Sequence, residues 1–88
     1  MLFFVTRYII PFEGNDSHSE EKFEEENPAK PIHAKKRWHS IIASDIDKQT
    51  IAYELIQIIR EDGICVASEI LDNRIPHEPE PNEVNANE

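Results

Sequence analysis

Residues 2–12, LFFVTRYIIPF, constrain the fold more than any other part of the chain. Aromatic and β-branched side chains predominate there, which favours an extended strand. Alternation places Leu2, Phe4, Thr6, Tyr8, Ile10 and Phe12 on one face and Phe3, Val5, Arg7 and Ile9 on the other. Both faces are largely apolar. Such a strand belongs in the middle of a sheet, with a helix covering one face and another subunit or partner covering the other. Pro11 offers no N–H to a ladder and limits pairing near the strand's end. The same segment does not read as a signal peptide or a membrane span. No basic residue precedes it, Arg7 interrupts it, and a helix of this length is too short for a hydrocarbon layer about 30 Å thick.

The remaining segments predict the order β, long loop, β, α, β. Residues 37–44, RWHSIIAS, read as a second strand, with Trp38, Ser40 and Ile42 opposite His39, Ile41 and Ala43. Across residues 48–62, Ile51, Ala52, Leu55, Ile58 and Ile59 recur at helical spacing. Asp47 stands where an N-cap is needed, Ile46 and Ile51 suit a hydrophobic staple, and Gly63 suits the left-handed residue after the last turn. Residues 64–71, ICVASEIL, supply a third strand. The predicted fold class is therefore α+β: a small three-stranded sheet with one amphipathic helix packed on one face, as a right-handed crossover in a split β-α-β layout. Residues 1–75 form the single domain, interrupted at about 13–36 by a disordered, flexible acidic loop rich in Glu and Pro. The acidic, proline-rich tail, 76–88, is expected to be disordered. So small a core benefits from a second subunit, and a homodimer is expected.

Charge orders the possible functions. The chain of 88 residues carries 18 acids against 9 lysines and arginines, a formal charge of −9. That balance repels phosphate backbones and anionic membranes, so nucleic acid and membrane are disfavoured as partners. The run SEEKFEEEN, residues 19–27, places Glu20, Glu21, Glu24, Glu25 and Glu26 around Lys22 and Phe23. On a mobile loop these glutamates would attract a basic protein surface, while Phe23 and Trp38 anchor it. The expected function is accordingly that of a non-enzymatic protein-binding module, as an inhibitor or accessory factor of phage or mobile-element type, with the acidic run imitating a nucleic acid. The alternative is nucleic-acid binding by Lys35, Lys36, Arg37 and Trp38, where bases could stack on the indole and phosphates meet the cations. The same basic cluster could instead dock on the glutamates of its own chain.

Catalytic and metal chemistry find little in the sequence. His18, His33, His39 and His77 show no metal-ligand spacing, and the two glycines, Gly14 and Gly63, make no phosphate loop. The acid pair Asp45 and Asp47 reads as helix-terminus chemistry. Cys65 is the sole cysteine; it forms no internal disulfide, reads as a small buried inert thiol, and is compatible with a reducing cytoplasm. No cofactor is expected.

Overall fold

The computed structural model describes residues 1–74. Four strands and one helix follow in the order β1 (Leu2–Pro11), β2 (Ser17–Glu24), α1 (Ile32–Asp45), β3 (Ile51–Arg60) and β4 (Cys65–Asp72). The strands form one sheet of order β2-β1-β3-β4, and every neighbouring pair is antiparallel. The coarse α+β architecture, one helix over a sheet, agrees with the sequence. Its details correct that expectation: the sheet has four strands rather than three and contains no parallel crossover.

Strand order follows from which strands are apolar on both sides. β1 and β3 carry apolar residues at successive positions and occupy the centre, where both of their edges are paired with neighbouring strands. β2, with Glu20, Glu21, Lys22 and Glu24, and β4 take the edges. Charges on an edge strand discourage pairing with a further strand, and the glutamate run as far as Glu24 forms that edge where a flexible loop was expected. Its register with β1 runs from Leu2↔Glu24 to Ile9↔Ser17. The predicted tail, 76–88, lies outside the described residues.

The helix and one strand stand in each other's expected places. Residues 51–60, read as the centre of a helix, form β3, because the apolar spacing at Ile51, Ala52, Leu55, Ile58 and Ile59 coexists with apolar Tyr53 and Ile56. Those two residues destroy a one-sided helical stripe but suit a central strand. Burial alternates accordingly, with Ala52, Glu54, Ile56 and Ile58 buried toward α1. Conversely, residues 37–44 belong to α1. Ala34, Trp38, Ile41, Ile42 and Asp45 recur at helical spacing and place one stripe on the sheet. Pro31, with φ −78°, stands at the N-cap; proline near a helix start fixes the backbone without losing a needed N–H.

Gly63 does adopt a left-handed conformation, φ 90°, but in a hairpin rather than a helix cap. Its N–H donates to Arg60 O at 2.8 Å and Arg60 N–H to Ile64 O at 2.8 Å, closing a short β3–β4 turn that a side chain would strain. Asp47, the expected N-cap, lies beyond the C-terminal end of α1.

The core is a single layer between α1 and the sheet: Phe3, Val5, Ile56 and Ile58 meet Ala34 and Ile41, flanked by Phe23, Trp38, Ile42, Ala67 and Leu71. Trp38 also donates its indole Nε1–H to Ile56 O at 2.9 Å, fixing the helix's rotation against β3.

Candidate sheet-face interaction surface

Cross-strand partners point to the same side of a sheet, so the register separates its two faces. The side away from α1 carries Leu2, Phe4, Thr6, Tyr8 and Ile10 from β1 and Tyr53, Leu55, Gln57 and Ile59 from β3. None of these nine is charged. β4 adds Ser68, Ile70, which is 53 % exposed, and at its end Asp72, whose partner Arg74 lies over the Tyr53 ring at 4.6 Å, and β2 adds His18, Glu20, Lys22 and Glu24 along one rim. Among the described residues, no element packs on this face: the helix contacts β1 and β3 through the opposite one. The sequence's first face, Leu2 through Ile10, is therefore the open one, and Phe3, Val5, Arg7 and Ile9 turn toward the helix.

Most of the glutamates expected to reach a partner are engaged within the chain. Glu21 receives the Arg37 guanidinium, Nε to Oε2 at 2.9 Å, so the basic cluster does meet the acidic run, across α1 and β2. Glu24 accepts the N-terminal ammonium at 2.9 Å. Glu25, only 2 % exposed, accepts Ala34 N–H at 2.8 Å and faces His33 Nδ1 at 3.0 Å. It thus serves as a cap for the helix N-terminus from outside the helix, where a negative charge complements the peptide dipoles. Burial alone raises its pKa, but the hydrogen bonds from His33 and the Ala34 backbone outweigh that and lower it below the usual 4.5. Phe23 joins the core's border instead of solvent. Glu20 and Glu26 remain exposed.

The alternative basic site is divided in the same way. Lys35 and Lys36 are exposed on α1, whereas Arg37 is tied to Glu21 and the Trp38 indole is turned onto β3. The four do not form one stacking surface. His39 is exposed and meets the Trp38 ring edge-on, with centroids 4.9 Å apart. Cys65, expected to be buried, is exposed at the start of β4; its thiol donates to Ala67 O at 3.3 Å.

A buried ionic cluster that the sequence reading missed lies under the helix's C-terminal end. Arg7 reaches Asp45 at 2.6 Å and Glu54 at 3.0 Å, and Lys48 reaches Asp45 at 3.0 Å. Asp45 is 2 % exposed and Glu54 is 0 %. Burial is the main cause that raises the Glu54 pKa, followed by the hydrogen bond with Asp45; together they push it to about 7. Glu54 Oε1 receives no donor, which fits a protonated oxygen that itself donates toward Asp45. Asp45 shifts the other way: burial raises it, but hydrogen bonds from Glu54 and Lys48 and the Arg7 charge prevail and lower it. The available signal was Arg7 on the helix-facing side of β1, a cation that demanded a buried acid.

Comparison with known proteins finds no protein family, no curated protein and no solved structure that the chain matches. Among the described residues there is no group of three or more His, Cys, Asp or Glu placed to hold a metal ion, and no helix is long and apolar enough to cross a membrane.

Proposed function

We propose that this chain is a non-enzymatic protein-binding module that acts as an accessory factor or inhibitor, and that it makes contact through the open face of its sheet. The observation that carries the reading is the uncharged outer face of the two central strands, Leu2, Phe4, Thr6, Tyr8 and Ile10 beside Tyr53, Leu55, Gln57 and Ile59, on which no other element packs among the described residues, in a chain otherwise dense in charge. A contiguous apolar surface of this kind is a recognition surface or an aggregation hazard. Charged β2 along one rim, with Glu20 and Lys22 exposed, gives the polar border that interfaces show around an apolar centre. The acidic run takes a secondary part, since Glu20 and Glu26 remain to steer a partner while Glu21, Glu24 and Glu25 hold the fold. Nucleic-acid binding is the weaker reading, because Arg37 is ion-paired with Glu21 and the Trp38 indole is turned onto β3, which leaves Lys35 and Lys36 alone to meet phosphates.

A photo-crosslinking amino acid placed at Gln57, in the middle of the open face, tests this in the native host. Protein adducts are expected at Gln57 and not at Lys36, on the helix. Equal labelling at both positions, or no adduct at Gln57, removes the reading.

A further inference from the structure

We propose that the partner on the open face is a second copy of this chain, packed sheet against sheet about a two-fold axis that crosses the strands. This rests on the preceding assignment of the face and adds the identity of its occupant.

Three observations select a second copy. The first is chemical. The face presents side chains that bury against their own kind: Leu2, Phe4, Ile10, Leu55 and Ile59, bordered by Tyr8 and Tyr53. A basic partner would find no acid in the centre, and a nucleic acid no cation. The chain's own open face is the surface of matching polarity present wherever the chain is, and a two-fold interface needs a patch complementary to itself.

The second is size. Four strands spaced about 4.8 Å apart and about eight residues long, at about 3.3 Å each, give a footprint of roughly 500 Å² per copy. Two such footprints reach about 1,000 Å², the level at which a specific interface becomes sustainable. Sheets that pack in this way stand about 10 Å apart, with side chains of both inner faces filling the gap. The four open-face strand segments then acquire the cover that α1 gives the other side, and the molecule becomes a helix–sheet–sheet–helix stack.

The third is the charged rim. On β2, Glu20 and Lys22 project on the open side two residues apart, both exposed, and neither forms an ion pair among the described residues. The helix-facing residue between them is Glu21, paired with Val5 of β1. An axis crossing the strands at this row lays β2 antiparallel over its copy and sets Lys22 against the partner's Glu20, and Glu20 against the partner's Lys22. One acid and one base thus satisfy each other twice. An axis along the strands would instead place β2 over β4, where Ser68 and Ile70 are uncharged and the one acid on that side, Asp72, is already held by Arg74 at 2.9 Å.

Sedimentation equilibrium and light scattering of the purified full chain test the proposal. The expected result is a dimer mass that falls to the monomer mass on dilution. Lys22→Glu weakens the dimer about tenfold or more by setting like charges together, and adding Glu20→Lys restores it to near the starting value. Lys36→Glu, on the helix side, leaves the dimer unchanged. Phe4→Lys, checked for folding by circular dichroism, yields a monomer; if it fails to fold, the charge-reversal pair carries the decision. A wild-type chain that stays monomeric at several hundred micromolar overturns the second copy, and so does a dimer indifferent to the Lys22 reversal and its rescue. The Gln57 photo-adduct separates the two levels. An adduct to a different protein, with a monomeric chain, removes self-pairing and keeps the binding module, whereas an adduct to residues 75–88 of the same chain overturns both.

Discussion

Replacing Glu54 by glutamine tests the account of the buried cluster through its dependence on pH. Glu54 is 0 % exposed, its pKa is raised from an ordinary 4.5 to about 7, and Asp45 and Arg7 are the groups that face it. The folded state therefore holds a proton that the unfolded chain releases near pH 4.5. Below that value both states are protonated and the contribution is complete; as pH rises from 4.5 through 7 it is lost. At about 1.4 kcal/mol per pH unit the loss comes to about 3 kcal/mol, a large part of the stability of so small a fold. Asp45 and Glu25, whose pKa values are lowered, lose their contributions only as pH falls through the acid range, so they leave this window to Glu54. Glutamine keeps an acceptor for Arg7 and a donor for Asp45 without titrating. In thermal melts followed by circular dichroism, wild type is expected to lose roughly 10 °C or more in Tm between pH 4.5 and pH 8, and Glu54→Gln to lose little. A wild type equally stable at both values, or a variant whose curve follows that of wild type, refutes the protonated carboxyl.

Two further substitutions examine the parts that hold the fold. Glu25→Ala leaves the Ala34 N–H buried without its acceptor and is expected to cost about 1 to 3 kcal/mol in urea denaturation, whereas Glu26→Ala, exposed one residue later, changes stability by less than about 0.5 kcal/mol. Phe3→Ala empties the centre of the single core layer, and a loss of about 3 to 5 kcal/mol should abolish the cooperative melt at room temperature.

The legibility of the fold varied with how many structures each segment's pattern allows. Residues 2–12 were unambiguous: two apolar faces admit a central strand and little else, and β1 spans Leu2–Pro11. Residues 64–71 were nearly so, and β4 spans Cys65–Asp72. Residues 51–60 were ambiguous because a strand with two apolar faces contains, among its apolar positions, a subset at helical spacing. The four isoleucines, Ile51, Ile56, Ile58 and Ile59, with Tyr53 were the propensity signal that favoured the strand. For α1 the stripe from Ala34 to Asp45 was present but masked by Lys35, Lys36 and Arg37, which a helix places outside the stripe and a strand does not. The acidic run misled because like charges argue against an isolated helix, yet in an edge strand they point alternately to two faces. One of them, Glu21, finds Arg37 only after the chain has turned back. The open face was anticipated from composition; the Glu54 cluster was not, since it depends on which strand lies beside which.

The β1–β3 ladder joins the chain's first strand to its third, with Phe3 beside Arg60 and Ile10 beside Tyr53. The turns between β1 and β2 and between β3 and β4 close locally, so each hairpin can assemble from its own neighbourhood. The central seam requires the whole span containing α1 to loop back, an event whose entropic cost precedes any reward from the core. Folding of this chain is thus a meeting of two hairpins with the helix tethered between them. Lengthening the segment on either side of α1 should slow that meeting only gradually, while weakening the seam itself should be felt in the rate at once.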